Sequence, residues 1–389
     1  MARTIKQPNL LQGFIPIIFL ILFLTLNVIY FGNDTLSGAN QIALLLASTI
    51  GAIIAVYLGH GWHSIRGIIV KTIGSAMPSM LILMLIGALA GTWMISGVVP
   101  TMIYYGLQIL HPKIFLFATV VICAMVSLAT GSSWSTVATI GVALLGIGNA
   151  LGFSPAIVAG AIISGAYFGD KMSPLSDTTN LPPAMAGTDL FTHIRYMVYT
   201  TAPTLIITLI IFLVIGFTYK LDGAADVSST LNTLSTTFNI SPWLFLVPVL
   251  LIIVIVKKLP PLPSIMFGAL LGGVFAIILQ PHIIEQISGV TDNYAKASYI
   301  SVMKSMYGSV SITTDNPQIT ELLTTRGMAG MMNTIWLILT AMIFGGVMES
   351  AGLLVKITET IIRFAKSTGS LVASVVGSCI FFNVTASDQ

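Results

Sequence analysis

Charge is what this sequence has least of. Only 7% of its 389 residues are Asp, Glu, Lys or Arg, against about a quarter in a soluble domain, whose surface must face water. Hydrophobic residues make up 56%, and the mean hydropathy is +0.97. Such a chain has no water-facing surface to cover, which excludes an ordinary soluble fold. Cysteine is scarce as well. Cys123 and Cys379 both lie inside apolar runs, where a thiol behaves as a small hydrophobe. No spacing resembles a zinc site, a P-loop or a hydrolase triad, which disfavours an enzyme or an ATP-driven pump. The net charge of +3 carries no basic cluster, so nucleic acid is not an expected partner.

What the sequence does have is long stretches without charge, at 7–33, 35–59, 72–110, 114–169, 196–219 and 227–256. An apolar helix of about 20 residues crosses the hydrocarbon core of a bilayer. The runs predict spans near 14–32, 38–58, 79–97, 114–130, 154–169, 199–218, 241–256, 262–280, 333–350 and 371–387. The first follows Arg3 and Lys6, is longer than a signal-peptide core and lacks a cleavage site, so it is expected to be retained. Segments 98–110 and 132–150 are apolar but cut by Gly, Pro and Ser, the pattern of half-helices or re-entrant pieces. The expected fold is all-α: a polytopic transmembrane helical bundle with broken helices, in a membrane-lipid environment.

An internal repeat is visible. LIGALAGTWMISG (85–97) aligns with TAMIFGGVMESAG (340–352) at a constant offset of 255, with Gly91 on Gly346 and Gly97 on Gly352. The same offset carries Thr130 and Ser132 onto Thr385 and Ser387, and 43–59 loosely resembles 264–280. Lys and Arg collect in short cytoplasmic loops. The connection after the first span has neither, whereas its counterpart after the seventh has Lys257 and Lys258. Arg3, Lys6, Arg66 and Lys71 fit a cytoplasmic N-terminus and second loop. Equivalent loops on opposite sides are the mark of an inverted-topology repeat. The expected organisation is a first repeat over 1–219, a polar connecting loop over 220–240 and a second repeat over 241–389. Residue 389 then maps onto Trp134, so the repeat predicts about 85 further residues in a chain of about 470.

Three places carry chemistry. TGSSWS (130–135) puts glycine and serines in mid-membrane, where broken helix backbone is tolerated only if it is buried in protein or lines a wet cavity. Small-residue helix packing is the alternative reading. The run from Asp170 to Asn180 supplies Asp170, Lys171, Ser173, Ser176, Asp177, Thr178, Thr179 and Asn180, an oxygen-rich set suited to a hard cation. Pro174 favours an unwound, ligand-presenting segment. A solvated loop is the alternative here, with Lys171 as a charge partner of either aspartate. Glu349 lies in an otherwise uncharged span and is a candidate proton carrier, or else a carboxylate at the span's end facing interfacial water. His60, His63, His111, His193 and His282 all fall at predicted span ends.

The segments GSSWSTVATIGVALLGIGNALG (131–152) and VAGAIISGAYFGDKMSPLSDTTNLPPAMAGTDLFTHIRYM (158–197) closely resemble the NhaC-type sodium/proton antiporter family, part of the ion-transporter superfamily. The NVTASDQ motif at 383–389 agrees. The resemblance implies exchange of cytoplasmic sodium for external protons in the bacterial cytoplasmic membrane. It needs no cofactor beyond the transported Na+ and H+, and homodimers are an expected assembly. It assigns sodium to Asp170, Asp177, Ser173, Ser176, Thr178, Thr179 and Asn180 with Thr130, Ser132 and Ser133, while Thr385, Ser387 and Asp388 complete the site from the second half. The same family includes malate–lactate antiporters, and a sodium- or proton-coupled organic-acid exchanger is the alternative, with Lys171 or Arg195 facing the acid.

Overall fold

The computed structural model describes residues 6–219, 227–257, 259–314, 317–362 and, beyond these, 367, 369–370, 372–374 and 376–377. In chain order the helices begin with α1 (Leu10–Phe31), α2 (Ala39–Tyr57), α3 (Trp62–Ile95), α4 (Val98–Ile109) and α5 (Pro112–Thr130). Then come α6 (Ser133–Thr136), a π turn over Val137–Gly141, α7 (Val142–Ala150), α8 (Pro155–Met172), α9 (Asp177–Ala186) and α10 (Leu190–Thr218). The remainder comprises α11 (Val227–Thr237), α12 (Leu246–Val256), α13 (Pro261–Leu279), α14 (Pro281–Ser288), α15 (Tyr294–Tyr307), α16 (Pro317–Leu322), α17 (Met332–Ser350) and α18 (Leu353–Ile362). The strands Val310–Ser311 and Thr324–Thr325 pair antiparallel. Among the described residues, eight helices are long and apolar enough to cross a membrane, or nine with one bent pair. The polytopic all-α fold is therefore present.

Local chemistry explains where these helices start. Asn9 and Gln12 exchange side chain-to-backbone hydrogen bonds of 2.8 and 2.9 Å, a capping box at α1. Asp189 caps α10 by accepting from the Thr192 amide at 2.9 Å. None of the most apolar eighteen-residue stretch of α10 is buried in protein, as suits a helix whose side chains meet lipid.

The described residues form two compact units, one joining 1–81 with 331–389 and the other spanning 82–330. In the first, α1, α2, α17 and α18 close over Ile17, Ala47, Ile65, Val347, Met348 and Leu353. Gly51 there lies so near Val347 that a Cβ would meet its Cγ1 at 2.9 Å, and Gly346 lies against the Ile69 backbone. The second unit has its core around Trp93, Phe115, Leu151, Leu244, Leu251 and Ile265. The buried Trp93 indole also donates to the Gly268 carbonyl at 3.1 Å.

The repeat offset has a backbone counterpart. Gly97 (φ +80°) turns α3 into α4, and its partner Gly352 (φ +65°) turns α17 into α18. Each amide donates to the carbonyl three residues back, Met94 and Glu349 respectively. Gly91 and Gly346, also matched, both sit where a Cβ would fall on a neighbouring helix backbone. The segment expected to be a polar connecting loop, 220–240, holds a helix instead. α11 lies within 220–240 and meets 242–256 at a bend of 89°, so the expected seventh span is one arm of a broken pair. α14, α15 and the strand pair lie within 281–330. Short amphipathic helices carry too few apolar residues to register as spans.

Candidate functional site

Two helix breaks meet in the unit spanning 82–330. The first follows α5. Gly131 takes the left-handed conformation (φ +69°), and its amide closes the helix on the Ser127 carbonyl at 2.8 Å. Ser132 is extended (φ −150°, ψ 115°) and restarts the helix by accepting from the Ser135 amide at 3.2 Å. A Cβ on Gly131 would come within 2.8 Å of Leu175, so glycine also lets the second break approach.

That second break follows α8. Ser173 is extended (ψ 127°), as the residue before a proline must be. Unwinding is confined to 173–176, narrower than the sequence pattern predicts. Pro174 clashes with helical continuation only locally, through the carbonyl four residues back. Asp170 and Lys171 consequently stay in the last turn of α8, while Thr178, Thr179 and Asn180 lie in the first turn of α9.

The breaks are stitched together by hydroxyls. Ser133 Oγ donates to Asp170 Oδ2 at 2.8 Å, joining the two segments directly. Ser173 Oγ donates to the Leu128 carbonyl at 2.8 Å, and Thr179 Oγ1 contacts the Asp170 and Lys171 carbonyls at 3.0 Å each. Ser176 and Thr178 share a hydrogen bond of 2.8 Å, and Asn180 Nδ2 donates to the Ser176 carbonyl at 2.7 Å. Thr130 Oγ1 reaches the Ser127 and Ser132 carbonyls only at 3.4 and 3.5 Å. Ser133, Ser173, Ser176 and Thr179 are all at most 4% exposed, whereas Asp170 is half-buried.

Close packing of α5 on α8 sets this register. A Cβ on Gly165 would fall on the Val120 carbonyl oxygen, and one on Gly169 within 2.6 Å of the Leu128 nitrogen. Ser127 Oγ donates to the Ala166 carbonyl at 2.5 Å between them. Helices in lipid lack a hydrophobic drive to associate and rely on such close, small-residue contact. Small-residue packing by Gly165 and Gly169 of α8 thus positions the polar break that follows α5.

Other expected residues lie elsewhere. Lys171 is exposed and forms no ion pair with Asp170; Lys356–Glu359 at 3.6 Å is the ion pair among the described residues. Glu349 is exposed in the last turn of α17, in the other unit, and Gly352 just beyond it lies against Pro8. The Asp177 side chain and all of Thr385, Ser387 and Asp388 fall outside the described residues. Sequence reading took in Ser135 as the end of the TGSSWS motif but did not single out Ser127, a structural tie, or the buried hydroxyls of Thr136 and Thr139. Their signal was available, since they continue the hydroxyl run of the TGSSWS motif.

The arrangement offers a half-buried carboxylate flanked by hydroxyls, with backbone released from regular helix pairing. That is chemistry for a small hard cation or a proton. Ser133→Ala removes the donor on Asp170. A hydrogen bond to a charged group contributes about 1.5–3 kcal/mol. We expect initial exchange rates at subsaturating sodium to fall about tenfold or more, as measured in vesicles.

The Na+/H+ antiporter family model matches residues 165–389. A malate-2H(+)/Na(+)-lactate antiporter of Bacillus subtilis is 37% identical over 385 residues, covering 98% of this chain and 78% of the relative. The Na(+)/H(+) antiporter NhaC of Alkalihalophilus pseudofirmus is 37% identical over 349 residues, covering 90% and 72%. The NhaC of Bacillus subtilis is 33% identical over 351 residues, covering 90% and 74%. No solved structure matches the chain. With its apolar spans, its paired helix breaks and these relatives, the chain belongs to the Na+/H+ antiporter family and is a multi-pass protein of the bacterial cytoplasmic membrane.

Proposed function

We propose that the protein exchanges cytoplasmic sodium for external protons by alternating access, with Asp170 at the centre of the site. The observation that carries this is the Ser133–Asp170 hydrogen bond, which links both helix breaks at one half-buried carboxylate. Protonation removes the charge that holds sodium, and sodium displaces the proton. One carboxylate serving both ions makes their transport competitive, hence an exchange. No bond is made or broken in the cargo, so no catalytic step or cofactor enters the cycle. Ser132, Ser133 and Thr130 line one break, while Ser173, Ser176, Thr178, Thr179, Asn180 and Asp177 line the other. Thr385, Ser387 and Asp388 complete the site from the second repeat, in the 1–219 and 241–389 organisation. Glu349 is kept as a second proton carrier, Lys171 as a charge partner for Asp177, and a homodimer as the assembly.

One observation favours a second reading. Lys171 is exposed beside the site and forms no ion pair with Asp170, so in this reading it meets the carboxylate of an organic acid instead of Asp177, and one relative is a malate–lactate antiporter. Labelled malate or lactate uptake into vesicles, with and without sodium, separates the two. Proton movement on sodium addition without acid uptake supports the first. Acid uptake that is required for proton movement supports the second.

A further inference from the structure

Buried hydroxyls in these helices normally turn back onto their own backbone. Ser48 donates to the Leu44 carbonyl at 2.6 Å, Thr340 to Trp336 at 3.1 Å and Thr139 to Ser135 at 2.7 Å. Ser135 does not. It is 1% exposed, and its Oγ has no hydrogen-bond partner.

The helix break explains why. The carbonyl four residues back belongs to Gly131, which is in the left-handed conformation and outside the helix ladder. The carbonyl three residues back, on Ser132, already accepts from the Thr136 amide at 3.2 Å and Thr136 Oγ1 at 3.0 Å, with Thr130 Oγ1 at 3.5 Å beyond them, so it has no lone pair left for Ser135. Ser135 is thereby stripped of both local acceptors. A buried hydroxyl without a partner is costly, and such a group in a native fold points to an unseen water or ion.

The surroundings favour an ion. The backbone directly after this turn, Val137–Gly141, is the π-helical stretch among the described residues, a feature frequent at functional sites. Ser132 Oγ sits against the Ser135 amide, and Ser133 of the same turn holds Asp170. Two hydroxyls, of Ser132 and Ser135, thus sit on one capped turn, and Ser133 of that turn ties it to the Asp170 carboxylate of α8. We infer that the Ser135 hydroxyl is an oxygen ligand of the transported hard cation, and so helps set which alkali ion the protein accepts. This assignment rests on the exchange reading above but has a binding readout of its own.

The test compares the full-chain protein with Ser135→Ala and Ser135→Thr in detergent, following thermal unfolding in sodium chloride against choline chloride. Wild type is expected to be stabilised by sodium. Ser135→Ala should lose most of that shift while unfolding in choline at the same temperature or higher, since an unsatisfied hydroxyl has been removed. Ser135→Thr, which keeps the oxygen, should retain the shift. In vesicles, Ser135→Ala should raise the sodium KM at least fivefold, with maximal rate within twofold and an unchanged pH profile at saturating sodium. A sodium-dependent shift in Ser135→Ala equal to wild type, or no sodium shift in wild type, overturns the assignment. Sodium stabilisation lost in Ser135→Ala, but without exchange in wild type, leaves the ligand in place and refutes the exchange reading instead.

Discussion

Asp170→Asn is expected to abolish sodium-driven proton exchange, with a fall of at least about 100-fold, while the protein still folds. The substitution is nearly isosteric, and the amide oxygen can still accept from Ser133 Oγ, so the bond between the two breaks survives. The Asp170 backbone carbonyl, which receives the Ser173 amide at 3.1 Å and Thr179 Oγ1 at 3.0 Å, is untouched. What is lost is the negative charge and the titration. Without the charge a hard cation loses its strongest ligand, and without the titration a proton has no place to bind. Size-exclusion elution and unfolding temperature should match wild type, and a pH-sensitive dye in vesicles should report no exchange. Wild-type exchange rates in Asp170→Asn would remove this residue from the mechanism.

The second large effect is steric. Gly169→Val should destabilise the protein by roughly 3 kcal/mol and abolish exchange, because its Cβ meets α5 backbone, not a side-chain tip that can swing away. The nearest atoms are the Ala124 carbonyl oxygen and, at 2.6 Å, the Leu128 nitrogen. Separating α5 from α8 there also strains the Ser173–Leu128 and Ser133–Asp170 bonds, which hold the breaks in register. Gly160 on the same helix is the control. A Cβ there meets only Phe212 Cζ at 3.7 Å, and alanine is the better helix former by about 1 kcal/mol. Gly160→Ala should therefore be neutral or mildly stabilising, measured by thermal unfolding in detergent. Equal stability of the Gly169 and Gly160 variants would show that close packing of α5 on α8 does not govern the site.

The large features were legible because they follow from composition and hard stereochemistry. Charge-free runs gave most of the spans, although 154–169 is not among the eight membrane-length apolar helices. The 133–150 stretch, expected as a half-helix or re-entrant piece, is among them, and glycine with serine at 131–133 marked the first break. Gly97 and Gly352, paired by offset alone, both proved to be left-handed turns. What escaped depended on where each disturbance stops. Pro174 unwinds only the residues beside it, so Asp170 remains helical although it reads as part of a polar loop. Short helices such as α11 and α14 left no span signal, and the 89° bend before α12 depends on tertiary packing. Ser135 lies in the TGSSWS motif, but nothing in the sequence sets it apart from Ser132 and Ser133. Its isolation arises only because Gly131 leaves the helix and Thr136 occupies the remaining acceptor.

The central claim is that one carboxylate between two helix breaks serves sodium and proton in turn. Inverted vesicles holding the protein and an acidified interior test it most directly, through a pulse of sodium chloride on the outer, originally cytoplasmic, face. Sodium should drive protons out, so that interior pH rises in wild type, stays flat in Asp170→Asn and does not require malate or lactate. No rise in interior pH on the sodium pulse, or an equal rise in wild type and Asp170→Asn, would contradict the account.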